Sequence, residues 1–329
     1  MILNAQNNVS PNDISAHNKL MMELSNSLSI IAGLIANQSF IYLDLPVYDN
    51  VGDLLIMQGT MQFFRRNKLI PKSMRSVYNF SPEVVGEKQV IVFQGGGNFG
   101  DLYPVLQKHR ETVIKEHPEN RVVILPQTIH FESSSTYWNC CNTLREHPDL
   151  HICVRDERSF RLAKEMTNHV YLLPDMAHAL YPLDKSDCEL GGDKAFRLMR
   201  SDIEKNSNVN QARNQDFDFT EGDWRFFLGR YSKNIRNHRK LQKRLKHFGL
   251  NRYTGTLTSE LWIRYVDNLM KSILTDFSGY KKIETDRLHG HILACLMDKP
   301  NCVHDNSYGK NAGYVKKWTM QSPLVHVEH

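Results

Sequence analysis

The chain has 329 residues, which at roughly 150 residues per domain points to about two domains with substantial cores and excludes a small disulfide-stapled module. Its 41% apolar, 10% aromatic and 23% charged residues are ordinary globular usage, far from collagen-like, low-complexity or acidic disordered chains. A net charge of +5 suits an anionic substrate or surface but falls short of a dedicated nucleic-acid binder, and no nucleic-acid partner is expected.

Between residues 13 and 36, Leu20, Leu24, Leu28, Ile31 and Ile35 recur at helical spacing and predict one leading amphipathic helix. The longest apolar run, 28–36, is about half of the roughly 20 residues that a bilayer span needs. The chain is therefore expected in the cytoplasm, where the six cysteines, none at CxxC spacing, stay reduced. Short apolar runs then alternate with helical stretches. Strands are predicted at 40–44, 89–93, 121–125, 151–154 and 170–173, with helices such as 53–66 and 104–117 between them. That alternation implies a parallel sheet covered on both faces. From 181 to 223 the chain turns polar and Asn-rich (Asn206, Asn208, Asn210, Asn214), a linker interrupted by a strand-like 196–200. Beyond it the same grammar returns: helix 259–274, strand 281–285, helix 289–297, strand 301–304 and helix 312–318. The expected architecture is thus two α/β domains, 1–181 and 182–329, whose ligands sit in the cleft at their strand ends.

Several segments at those strand ends carry chemistry. Gly95-Gly96-Gly97-Asn98-Phe99-Gly100-Asp101 matches GxGxxG at Gly95, Gly97 and Gly100, between a strand and a helix whose first turn holds Pro104. A nicotinamide cofactor is disfavoured, since Leu125-Pro126-Gln127-Thr128 ends the next strand without an acid for the ribose, and Asp101 is negative where pyrophosphate would sit. The remaining readings are a phosphate cradle or a tight turn that lets helix and strand pack closely. Asp53, in Asn50-Val51-Gly52-Asp53, is either an N-cap, the simpler reading, or a cleft-facing carboxylate. Arg155 ends a strand and either forks onto an anion or pairs with a neighbouring carboxylate.

Asp286-Arg287-Leu288-His289-Gly290-His291 follows a strand and opens a helix, fixing a cation beside a histidine able to exchange protons near neutrality. Asp305 to Lys310 adds a flexible lysine and main-chain donors for a second set of anionic oxygens. From 224 to 259 there are ten Lys or Arg and no Asp or Glu, with Leu241, Leu245 and Phe248 at helical spacing among Arg239, Lys240, Lys243, Arg244 and Lys246. This basic amphipathic helix reads as a solvated face over a small apolar stripe, as a contact with anionic lipid or a pyrophosphate-bearing lipid-linked acceptor, or, with no RNA motif to support it, as an RNA site.

Taken in order, Asn50 to Asp53, Gln94 to Pro104, Leu125 to Ile129, Val154 to Ser159, Leu173 to Asp175, Arg200 to Glu204, Thr285 to His291 and Asp305 to Lys310 resemble the polysaccharide pyruvyl transferase family, in its bacterial exopolysaccharide branch. The resemblance implies two Rossmann-like domains facing a cleft, as in GT-B glycosyltransferases, with phosphoenolpyruvate bound between them. It implies addition of a pyruvyl group as a cyclic ketal across two sugar hydroxyls, with release of phosphate and with no metal or cofactor. Family donor-binding or catalytic positions fall on Arg287, Leu288, His289 and Arg155. The chemistry agrees: the donor's carboxylate and phosphate call for Arg155, Arg287 and Lys310, beside Gly97 and Asn98 of the glycine segment. His289 would exchange the proton, and Asp53 and Asp101 would bind or deprotonate hydroxyls of the saccharide, free or lipid-linked. The alternative is a GT-B-like glycosyltransferase, with Arg287 and Lys310 on a sugar-nucleotide pyrophosphate and Asp53 or Asp101 as base.

Overall fold

The computed structural model describes residues 9–186, 194–200, 219–229, 231–305 and 310–328, the last range without the side chain of Lys310. Ser10 starts the first helix with a capping box, its Oγ accepting from the Asp13 amide while the Asp13 carboxylate accepts from the Ser10 amide. The single helix expected over 13–36 is two, α1 (Pro11–Ser27) and α2 (Ser29–Ile35). Ser27 Oγ donates back to the Leu24 carbonyl where the helix stops, the local competition that short hydroxyl side chains offer the backbone.

There follow β1 (Phe40–Leu43), α3 (Val51–Arg66), β2 (Ser73–Met74), β3 (Val90–Phe93), β4 (Gly96–Gly100), α4 (Pro104–Glu116), β5 (Val122–His130), α5 (Ser134–Arg145), β6 (Leu150–Val154), α6 (Glu157–Ala163) and β7 (His169–Leu172). All pair in parallel in the order β2-β1-β3-β5-β6-β7, with β4 beside the far end of β5. Every residue of β1, β3, β5 and β6 is buried, as expected for strands covered on both faces. Strand β5 runs past its expected end at 125 and takes in Pro126. The pairing with β6 is irregular between Ile124 and Gln127, which accommodates the missing proline N–H.

The glycine segment is a strand, and α4 begins only at Pro104. Helix α4 thus starts where the helix over 104–117 was expected, while Gly96–Gly100 pair as an edge strand where a turn or a phosphate cradle was expected. Its glycines serve close backbone approach: Gly100 has φ +138°, and a Cβ there would lie 1.6 Å from the His130 carbonyl oxygen.

The second half contains β8 (Ala195–Leu198), β9 (Phe219–Gly222), α7 (Trp224–Leu228), α8 (Ser232–His247), α9 (Asn251–Ser278), β10 (Lys282–Thr285), α10 (Leu288–Leu296), β11 (Asn301–His304), α11 (Lys310–Trp318) and β12 (Val325–Glu328). Its strands form a second parallel sheet, β12-β11-β10-β8-β9. The Asn-rich stretch with Asn206, Asn208, Asn210 and Asn214, together with Asp202, Glu204 and Cys188, lies outside the described residues. Helices tie the two sheets together. Asn79 donates to the Gly255 carbonyl and to Thr258 and Ser259 of α9, and Trp262 Nε1 donates to the Pro46 carbonyl. His17 of α1 bonds the Cys295 carbonyl and Ser322. One apolar cluster runs from Tyr42 through α3 to Ile283 and α10.

The apolar stripe expected to seat α8 does not do so. Leu241 and Phe248 are exposed, and the buried positions are Ile235 and Gln242. Polar fit decides the face: Ser76 Oγ donates to Gln242 Oε1 at 2.6 Å, and the ring of His238 stacks on Trp262 at 5.0 Å. None of the described helices is long and apolar enough to cross a membrane.

Gly100→Ala is expected to destabilise the fold by about 1–3 kcal/mol or more, because the added methyl meets a main-chain carbonyl that cannot yield without breaking the β4–β5 pairing. The midpoint of urea unfolding checks this.

Candidate active site

Asn50, not Asp53, caps α3: its Oδ1 accepts from the Gly52 amide at 3.0 Å. Asp53 is thereby left to face a cavity of about 830 Å³ at the carboxyl ends of the strands, lined from both sheets. Its Oδ2 accepts from Asn50 Nδ2 at 2.9 Å. Burial pushes Asp53 up from the usual carboxylate range, against the pull of His289, Tyr48 and Arg155. Gly52 matters for a different reason: a Cβ there would sit 2.5 Å from Nδ1 of His289.

Gly97 and Asn98 present the glycine segment to the cavity. Behind it, fully buried Arg110 donates through Nη2 to Asn98 Oδ1 at 2.7 Å, and Gln127 Nε2 donates to the same oxygen at 3.1 Å. With the carbonyl so occupied, the amide nitrogen of Asn98 is turned toward Tyr48 and the cavity. Burial, reinforced by Asp53 and Asp44, raises the Tyr48 hydroxyl well above its usual range, so it stays a neutral donor.

Arg155, at the end of β6, is buried. Nε donates to Thr128 Oγ1 at 2.9 Å and Nη1 to Oδ2 of Asp175, while Nη2 lies beside Gly97, where a Cβ would come within 3.3 Å of it. Asp175 is fully buried; its Oδ1 accepts from the Ala177 amide at 2.9 Å, and its own amide donates to the Tyr314 hydroxyl at 3.1 Å. Burial works to raise Asp175, but Arg155, His289 and the Ala177 amide outweigh it and hold the carboxyl well below the usual range. This residue was missed as a site residue in the sequence, although Leu173-Pro174-Asp175 stands out there. It also caps the 3-10 turn Met176–Leu180, and local pattern does not distinguish a cap from a buried counter-ion.

From the second sheet, Arg287 precedes α10 with its amide held by Thr285 Oγ1 at 3.0 Å. Its guanidinium forks onto Asp223, with Nε 2.5 Å from Oδ1 and Nη2 2.7 Å from Oδ2. Two residues on, His289 places Nε2 3.5 Å from Asp175 Oδ2, so the histidine of one sheet meets the carboxylate of the other. Leu288 and Asn311 also line the cavity, whereas the side chain of Lys310 lies outside the described residues. The basic segment contributes too. Arg225, Arg239 and Lys243 line the cavity, the last two with their charges 6.0 and 5.0 Å from the ring of Tyr78.

Asp101 is not brought to the cavity. Its carboxylate accepts from the amides of Glu132 and Ser133 at 2.9–3.1 Å and fixes the entry to α5, in place of the hydroxyl-binding position expected for it. Two groups among the described residues could hold a metal ion, Asp149–His151–His169 and Cys302–His304–Glu328, and neither lines the cavity.

Cations and two contrasting carboxylates thus gather at the carboxyl ends of parallel strands, where α/β enzymes bind their ligands. Residues 50–308 match the family model described as polysaccharide pyruvyl transferase. The chain is 37% identical over 305 residues to “Putative pyruvyl transferase EpsO” of Bacillus subtilis (strain 168), covering 91% of each. It is 24% identical to “General stress protein 30” of the same organism, over 83% of this chain and 76% of that one. It is also 24% identical to “Pyruvyl transferase 1” of Schizosaccharomyces pombe, over 72% of this chain and 56% of that one. The chain belongs to the polysaccharide pyruvyl transferase family. A crystal structure of an uncharacterized protein, KP1_0663 from Klebsiella pneumoniae, shares the fold with TM-score 0.59 and 22% identity, covering 94% of this chain and 98% of that one.

Asp175→Asn should cost about 3–5 kcal/mol at neutral pH by leaving Arg155 buried without its counter-ion. Because folding depresses Asp175, its contribution is complete above the unfolded value of about 3.9 and is lost as pH falls through the lower folded value. The stability gap between the two proteins should therefore narrow only in acid, which denaturant titrations across pH measure.

Proposed function

We propose that this chain transfers a pyruvyl group from phosphoenolpyruvate to two hydroxyls of one sugar, in an exopolysaccharide or its lipid-linked precursor, closing a cyclic ketal and releasing phosphate. The observation that carries the reading is the meeting of His289 with ionised Asp175 beside Arg155, in a cavity whose other carboxylate, Asp53, is shifted the opposite way. Environments that push two carboxylates apart divide the labour of acid–base chemistry.

Arg155 Nη2, with Gly97 clearing room beside it and the Asn98 amide nearby, receives one anionic end of the donor; Arg287 and Lys310 serve the other. A proton delivered to the donor methylene makes C2 electrophilic, and the first sugar hydroxyl adds there as its proton leaves. The C2–O bond to phosphate then breaks, and the second hydroxyl closes the ketal. Two hydroxyl protons are lost, one balancing the new methyl group and one leaving with phosphate. His289 exchanges the proton at the donor carbon, oriented by Asp175, and Asp53 takes the proton of the attacking hydroxyl.

In this reading two Rossmann-like domains face a cleft in the GT-B manner: residues 1–181 bring Asp53 to the acceptor side and 182–329 bring Arg287 to the donor side, while Arg155 reaches across to the donor and Arg239 and Lys243 reach across to the acceptor. Tyr78, Arg239 and Lys243 offer the acceptor an aromatic face beside positive charge, so an acceptor bearing a phosphate or carboxylate fits this wall. In this reading the chain acts in the cytoplasm. A sugar-nucleotide glycosyltransferase, the alternative reading from sequence, is not favoured by the family relationship.

The direct experiment incubates the protein with phosphoenolpyruvate and candidate saccharides, following phosphate release and the mass gain of a pyruvyl ketal. Stabilisation in a thermal scan by sugar nucleotides but not by phosphoenolpyruvate would reverse the assignment, a saturating ligand at about 100 times its Kd adding roughly 2.7 kcal/mol. His289→Ala should lower turnover by about 10²–10⁴ in a folded protein, and near-normal turnover would remove its role. Arg239→Glu with Lys243→Glu should raise KM for an acidic acceptor at least tenfold while sparing that for the donor, as initial-rate kinetics would show.

A further inference from the structure

Helices α8 and α9 turn an apolar surface outward. On α8, Leu241 and Phe248 are exposed; the chain reverses at Gly249, with φ +67°, and Leu250, Tyr253 and Leu257 continue the stripe along the outer face of α9. Phe248 is 72%, Tyr253 70% and Leu257 57% exposed, far more than scattered surface apolars require. The inward faces of both helices are already satisfied, α8 through Ile235 and Gln242 and α9 through Thr258, Ser259 and Trp262. The outward stripe is therefore surplus to the fold.

Charge decides what covers it. Lys240, Arg244 and Arg252 are exposed around the stripe, and no Asp or Glu occurs from 224 to 259. Glu260 follows in sequence, beside Leu261 at the far end of the α9 stripe, and Glu83 faces Arg252. A second copy of this chain docked through the same face would set like charges against one another, whereas a layer of anionic headgroups over an apolar interior complements both features.

We propose that the outer face of the α8–α9 hairpin is a docking surface for an anionic lipid bilayer, with Phe248, Tyr253 and Leu257 entering the interface and Lys240 and Arg244 meeting the headgroups. The opposite flank of α8 carries Arg239 and Lys243 into the cavity, so about one helix diameter, 10–12 Å, separates bilayer from site. A lipid-linked acceptor could thus be taken from the membrane without leaving it. This last consequence rests on the pyruvyl-transfer reading; the docking surface does not.

The test uses the full chain and vesicles of equal parts phosphatidylglycerol and phosphatidylcholine. Sedimentation with these at low salt, lost in pure phosphatidylcholine and weakened by salt, is expected. Phe248→Ser/Tyr253→Ser/Leu257→Ser and, separately, Lys240→Glu/Arg244→Glu should each weaken binding at least tenfold, with phosphate release on a short soluble saccharide unchanged in both. Failure of the unmodified protein to sediment overturns the proposal. So does retention of binding by the apolar triple variant, or a dimer in sedimentation velocity that this variant abolishes, which would assign the stripe to a second copy. Vesicle binding without phosphate release on any saccharide would instead overturn pyruvyl transfer and leave the docking surface standing.

Discussion

The site is built on one buried ion pair. Asp175 and Arg155 are both removed from water, and neither would be tolerated there alone, since an unpaired buried charge costs several kcal/mol. Arg155 is fixed at the end of β6 and Asp175 in the turn after β7, so the pair is held by the first sheet. His289 then comes from the helix after β10 in the second sheet and is brought against the same carboxylate. Tyr314, from α11, closes the arrangement by accepting the Asp175 amide. Burial of the pair, packing of the two sheets and assembly of the candidate catalytic group are consequently one event.

A second carboxylate gains its distinct character from the same surroundings. Asp53 shares His289 and Arg155 as neighbours with Asp175 but has no direct guanidinium partner among the described residues, so burial dominates there and is outweighed at Asp175. Removal of either cation would alter both carboxylates at once, and single substitutions here cannot be treated as additive. Beneath them, buried Arg110 acts at one remove: by occupying the Asn98 carbonyl oxygen together with Gln127, it dictates which end of that amide the cavity meets.

The basic segment shows how one helix can serve three environments. Successive flanks of α8 meet the protein interior through Ile235 and Gln242, the cavity through Arg239 and Lys243, and solvent through Leu241 and Phe248. Apolar spacing alone would seat such a helix on its leucines. Here a hydrogen bond from Ser76 and a stacked Trp262 select a different face, because a matched polar site in the interior outweighs a stripe that finds no complementary apolar surface.

What the sequence determined by itself was local in origin. Strands buried on both faces are continuous apolar runs, and helices show a 3.6-residue period, so most strands and central helices fall within a few residues of their expected places. Arg155, Arg287, His289, Asn98 and Asp53 could be singled out because each stands at the end of such a run, where parallel strands present their ligands, and all five reach the cavity. Tertiary structure alone decided the rest. That Gly100 belongs to a strand depends on the carbonyl of His130; that Asp101 holds a loop depends on the amides of Glu132 and Ser133; that Asp175 is a counter-ion depends on Arg155 and on His289, more than a hundred positions later. In each case the deciding partner is distant in the chain, and the energy of burying a charge or closing a backbone contact exists only once the fold has brought the two together.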